Sequence, residues 1–118
     1  AQRMIDTLNI RTASDRQGVS SLSGGNQQKV VLGKWFLTEP RILLLDEPTR
    51  GVDVGAKREI YRVMSDFARA GGAVIMVSSE TDEVLGMADR AVVMRDGRVA
   101  GELDRSEMSA EKLLHLAA

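Results

Sequence analysis

Cysteine is absent from the 118 residues, and histidine occurs once, at position 115. Without a thiol the chain has no disulfide, no thiolate nucleophile and no cysteine-ligated zinc, and one imidazole cannot build a histidine metal site. A Ser-His nucleophile would have to use His115, which falls in a C-terminal helical stretch. Long hydrophobic runs are also missing: the longest uncharged apolar stretch near the middle, 71–79, is well short of the ~18 residues of a membrane span. The opening residues, Ala1 to Asp6, lack the basic-then-apolar order of a secretion signal. Nor is there an excess of either charge: 16 Lys and Arg face 17 Asp and Glu, a net charge of -1, which argues against a basic nucleic-acid surface. With 43% hydrophobic and 28% charged residues, the chain reads as one globular domain at most, and a cytoplasmic one. Its first residue is Ala rather than Met, which suggests processing or excision from a longer chain.

The order of elements follows from periodicity and breakers. Residues 1–8 read as the end of a helix and 9–21 as a polar loop. Ser23-Gly24-Gly25 then precedes a helix predicted over 26–37, polar in its first turn and apolar on most sides beyond it, hence exposed at its N-terminus and buried in its body. Pro40 stops it by removing a donor and restricting Glu39. Ile42 to Leu45 is an unbroken apolar run ended by Asp46, Glu47 and Pro48, the pattern of a strand buried on both faces of a parallel sheet. Asp53 can cap a second helix carrying Ile60, Met64 and Phe67 at helical spacing, which Gly71-Gly72 closes. Residues 73–77 read as another buried strand, 82–87 as a short helix and 91–94 as a strand. Asp96-Gly97 signals a hairpin into 98–103, and 107–116 ends the chain as a helix. Met76, Met87 and Met94 read as core filler. The plan is α/β with a terminal antiparallel hairpin.

Two places carry chemistry. At the carboxyl end of the first strand, where ligands sit in open α/β sheets, Asp46 can hold magnesium and Glu47 can orient or deprotonate a water that attacks a phosphoryl group. An acidic pair before proline is also an ordinary way for a buried strand to reach solvent. The second place is Leu22-Ser23-Gly24-Gly25-Asn26-Gln27-Gln28-Lys29. Glycines at the start of a helix let a phosphate approach the backbone N–H groups and the positive dipole end, with the Ser23 hydroxyl as a further donor. By itself Ser-Gly-Gly is more often a flexible linker, but here it is followed within twenty residues by the acidic strand end.

Together these stretches resemble a known family. LSGGNQQKVVLGKW is similar to the signature motif and helix of ATP-binding cassette proteins, and RILLLDEP to their Walker B strand. Arg50-Gly51-Val52-Asp53 falls where the family's D-loop lies, and Val77-Ser78-Ser79-Glu80 where its switch loop lies. The forms LSGGNQQK, EPTRGVDVGAK and SSE resemble the second cassette of monosaccharide importers of the ribose, xylose and galactose type. The resemblance implies a partial P-loop NTPase fold, mostly parallel sheet with flanking helices. Residues 1–39 would then end the helical subdomain and 40–118 form the C-terminal part of the RecA-like ATPase core.

It also implies ATP and Mg2+ as cofactors, Ser23, Gly24, Gly25, Asn26, Gln27 and Asp53 as ATP-binding residues, Asp46 as the metal ligand and Glu47 as catalytic. The implied partners are a second cassette, transmembrane permease subunits and, indirectly, a periplasmic or extracellular sugar-binding protein, at the cytoplasmic face of the membrane. No phosphate-binding loop of the form G-x-x-x-x-G-K-S/T occurs. Ser79 stands where active cassettes carry a switch His, and Asn26 replaces the commoner Gln. In the family each ATP lies between the phosphate loop of one half and the signature of the other, so this signature is expected to act in trans. Hydrolysis at the local Asp46-Glu47 site is expected to be slow or absent.

Trp35 and Phe36 are expected to pack within the signature helix rather than stack on adenine. Two other functions fit parts of the sequence: a regulatory half that binds nucleotide without cleaving it, and a cassette of a DNA-repair or chromosome-maintenance ATPase. The second is disfavoured because no heptad run or basic surface is present.

Overall fold

A six-residue helix, α1 (Gln2–Thr7), leads through a long loop with one 3-10 turn (Val19–Ser21) into α2 (Gly24–Phe36). Strand β1 (Ile42–Asp46), helix α3 (Val54–Arg69) and strand β2 (Ala73–Val77) follow as a βαβ unit, with β1 and β2 paired in parallel from Ile42 against Ala73 to Asp46 against Val77. Then come α4 (Thr81–Met87), β3 (Arg90–Arg95), β4 (Arg98–Asp104) and α5 (Ala110–Ala117). This computed structural model describes residues 1–118 and divides into two units, Ala1–Val77 and Ser78–Ala118. No helix is long and apolar enough to cross a membrane.

The core of the first unit is Leu8, Ile10, Leu32, Leu43, Ile60, Val63 and Met64. Full burial of side chains of this size contributes about 1.5–3 kcal/mol each. Helix α1 seats on α2 at Gly33, where a Cβ would come within 3.0 Å of Leu8 Cδ1. Helices α2 and α3 run side by side in the same direction. Gly25 meets Ala56 near their N-termini, Lys29 pairs with Glu59 one turn on, and the Phe36 and Phe67 rings stack at 5.6 Å near their C-termini. Helix α3 forms because Asp53 caps it, its Oδ1 accepting from Ala56 N–H at 2.9 Å, and because Ile60, Val63 and Met64 share its inner face. It ends where Gly71 takes φ +98 and the Gly72 N–H donates to Phe67 C=O, a glycine-closed C-terminus.

In the second unit, Asp96 and Gly97 both adopt left-handed φ (+49 and +74) and close the β3–β4 hairpin as a type I′ turn. The register slips between Val93 and Met94, one residue bulging from β4. Helix α5, capped by Ser109, buries Leu113, and its Leu116 fills the space that a side chain at Gly101 would take. Arg105 donates to the Leu85 and Ala88 carbonyls at the end of α4.

The α/β order and the hairpin agree with the sequence, while several burial expectations are corrected. Both strands were expected to be buried on two faces. Instead Leu43, Val74, Leu45 and Met76 face inward, and Ile42, Leu44, Ile75 and Val77 are exposed, Leu44 by 74%. Parallel strands read as continuous apolar runs because they expect cover on both sides, and these 118 residues cover one. The α2 helix starts at Gly24 rather than 26 because Ser23 is its cap, and its burial meets expectation only in part, with Gly24 exposed and Leu32 and Gly33 buried. Gly25 and Lys29 at the N-terminal end are buried, whereas Val31 and Trp35 lie exposed. Phe36 does pack, on Phe67, but Trp35 is 53% exposed, with Lys34 Nζ 5.9 Å from its ring centre. Met94 is exposed too, on the open face of the hairpin. The last helix starts at Ala110, because 105–107 form a 3-10 turn.

Candidate functional site

The site grows from two helix starts lying side by side. Ser23, extended at φ -61 and ψ 155, caps α2: its Oγ accepts from the Asn26 N–H at 3.4 Å and from Asn26 Nδ2 at 2.9 Å. The Asn26 amide oxygen accepts from Arg11 N–H at 3.0 Å, and Gln27 Nε2 donates to the Leu22 carbonyl at 2.9 Å. Asn26 and Gln27 therefore brace the turn and the incoming loop. Ser23 and Gly24 stay exposed at its tip. No acidic residue lies in the first turn of α2 or of α3, so the positive end of each helix is uncompensated except by the Asp53 cap.

Asp46 ends β1, exposed, in register with Val77. Glu47 follows in a left-handed conformation at φ +47, which costs a residue with a side chain about 1–2 kcal/mol. Its N–H donates to Val77 C=O at 2.9 Å, and its C=O accepts from Arg50 N–H at 3.1 Å. Pro48 and Thr49 are buried beneath this turn. A strained carboxylate-bearing residue held on both sides by the backbone is the kind of feature that clusters at functional sites. No third carboxylate or imidazole joins the pair. That donor set fits magnesium, a hard cation usually held by one or two carboxylates and completed by water and phosphate oxygens.

Of the residues expected from sequence, 23–27, Asp46, Glu47 and Asp53 all belong to the first unit, with Gly24 and Gly51 in near contact where the two helix starts meet. Ser79 belongs to the second unit, in the turn before α4, where the Ser78 hydroxyl accepts from Glu80 N–H at 3.0 Å.

Lys29 was not among the expected site residues. It is 3% exposed, ion-paired with Glu59 and hydrogen-bonded to the Asn9 carbonyl at 2.9 Å. Burial, with Arg11 and Arg62 near, pulls its pKa below the ordinary lysine range, while Asp53 acts the other way. The signal available was a lysine at helical spacing between Gly25 and Leu32, on the face that turns inward.

The fold defines the chain's class, that of the ATP-binding cassette ATPases. A nucleotide-free ATP-binding cassette from an ABC transporter matches 98% of this chain and 47% of its own at TM-score 0.82 and 23% identity. The ADP conformation of another such cassette matches 97% and 46% at TM-score 0.78 and 27% identity. Residues 1–50 match the family described as ABC transporter.

The chain is homologous over its whole length to the ABC transporter ATPases of sugar import. It is 57% identical over 117 residues to a Rhizobium etli protein named by inference as a ribose/galactose/methyl galactoside import ATP-binding protein. It is 56% identical over 117 residues to the arabinose import ATP-binding protein of Pectobacterium atrosepticum, and 53% to the galactose/methyl galactoside import ATP-binding protein of Pasteurella multocida. These alignments take in 99% of this chain but only 22–23% of each relative's length.

Proposed function

We propose that the chain is part of an ATPase that energises sugar import, and that its turn at 23–27 completes a nucleotide site in trans on a partner cassette. The observation that carries this is the exposed, serine-capped start of α2, free of acidic residues in its first turn and lying beside the start of α3. Such a turn can donate the Ser23 hydroxyl and backbone N–H groups to a phosphate held elsewhere. Asp46 would hold Mg2+ at the local site, where the ion would neutralise charge on the ATP phosphates, and Glu47 would orient a water. Asp53 would meet the opposite half. The partners on this reading are a second cassette, fused or separate, permease subunits at the cytoplasmic membrane face and, through them, a sugar-binding protein. Residues 1–39 would belong to the helical subdomain and 40–118 to the ATPase core.

The test is phosphate release from magnesium ATP by the assembled transporter. Ser23→Arg places a cation and bulk at the tip of the turn and should lower turnover of the partner site by about 10²-fold or more. Unchanged turnover would remove the trans assignment. A second reading, a half that binds nucleotide without cleaving it, is favoured by Ser79, which lacks an imidazole's reach and charge. On that reading Ser79→His leaves turnover unchanged, whereas a local site lacking only its switch group would speed up.

A further inference from the structure

We propose that Gly25 is a positioning residue whose missing side chain lets the start of α2 rest directly on Ala56 of α3, so that the Ser23 turn and the Asp53 turn are held as one rigid pair. The two signature glycines differ in what surrounds them. Gly24 is exposed, and a Cβ there would reach no nearer than 3.4 Å, to the Gly51 carbonyl. Gly25 is buried, and a Cβ there would collide with the Ala56 Cβ. Neither has positive φ, so their backbone is open to any residue, and freedom of conformation is not what position 25 needs. What it needs is close approach between helices.

A Cβ leaves a helix sideways, whereas the first N–H groups point along the axis. Gly25 can therefore offer its amide to a ligand at the helix end while its flank is filled by α3. Below this contact Lys29 joins Glu59 to the Asn9 carbonyl, and Phe36 stacks on Phe67. Three contacts in step along two parallel helices leave α2 no room to slide along α3. Where α3 begins thus decides where Ser23 and Gly24 stand.

The experiment uses the assembled transporter with Gly25→Ala, Ala56→Gly, Ala56→Val and the double variant Gly25→Ala/Ala56→Gly, measuring ATP turnover per folded molecule well below the unfolding midpoint, and the midpoint itself. Gly25→Ala should lower kcat by about tenfold or more, as expected of a misplacement on the ångström scale. Ala56→Gly alone should stay near wild type, and the double variant should return to within about threefold of it. Ala56→Val crowds the same contact from the other side and should also lower kcat, although residue 56 reaches no ligand. If Gly25→Ala does not fold, a folded and active double variant carries the same conclusion.

A double variant as inactive as Gly25→Ala would overturn the proposal, because the glycine would then be needed for the ligand. So would a Gly25→Ala protein with a lowered midpoint but normal kcat, which would make the contact structural only. The turnover readout rests on the trans reading, and the two can fail separately. If the trans reading is wrong, Ser23→Arg is harmless while the 25–56 coupling in the midpoint persists. If the packing inference is wrong, Ser23→Arg abolishes turnover and Ala56→Gly rescues nothing.

Discussion

Asp53 shows how one residue carries two kinds of meaning. Its carboxylate accepts the Ala56 N–H at 2.9 Å and is the only acid at the start of α3. Asp53→Ala should cost about 1 kcal/mol, read as a lower midpoint in urea unfolding of the chain, and Asp53→Asn should recover most of it. A D-loop role would show separately, as a turnover loss in Asp53→Asn that exceeds its stability loss. Glu47 and Lys29 differ in legibility. Glu47 stands beside Asp46 at a strand end, where a carboxylate is easily noticed. Lys29 looks like a solvated lysine following two glutamines, and only the approach of α3 buries it against Glu59. The same approach gives Gly25 its purpose, which glycine-rich composition had assigned to phosphate access alone.

Local chemistry wrote the elements more openly than their burial. The hairpin was visible as Asp96-Gly97 between alternating segments, and the turn has positive φ at both positions. Gly97→Val forces a branched side chain into left-handed backbone and should destabilise the second unit by about 1–2 kcal/mol. Loss of hydrogen-exchange protection in β3 and β4 ahead of β1 and β2 would be the local reading of that change. Helix ends were equally readable at Asp53 and Gly71, whereas the Ser23 and Ser109 caps set the starts of α2 and α5 at Gly24 and Ala110 rather than at 26 and 107. The polar residues of the stretch 105–109 suit a helix start, but a 3-10 turn is formed there, with Arg105 donating to the end of α4.

Across the whole molecule, the feature with the widest consequence is an open apolar face, as expected of a sheet that lacks the strand before its phosphate loop. Ile42, Leu44, Ile75 and Val77 alternate with the inward residues of β1 and β2 and meet solvent together. Exposed parallel strands of this kind are association surfaces. In isolation the 118-residue chain should therefore self-associate, giving a concentration-dependent mass in light scattering, and Leu44→Lys should reduce it. A clean monomer at every concentration would contradict this.

The sequence by itself determined the element order, the hairpin turn, the Asp53 cap and the two stretches proposed to bear phosphate and magnesium chemistry. Each of these depends on neighbours a few residues apart: a side chain bonding its own turn, a glycine with left-handed φ, an apolar run the length of a strand. Tertiary structure alone decided which face of α2 and of the two parallel strands is covered, whereas the inner face of α3 was already legible in Ile60 and Met64. It buried Lys29 and Gly25, left Trp35 and Leu44 in solvent, and set the starts of α2 and α3 together. Those outcomes depend on contacts between residues about thirty positions apart, such as 25 with 56 and 36 with 67. No local pattern encodes which helix arrives at a given flank.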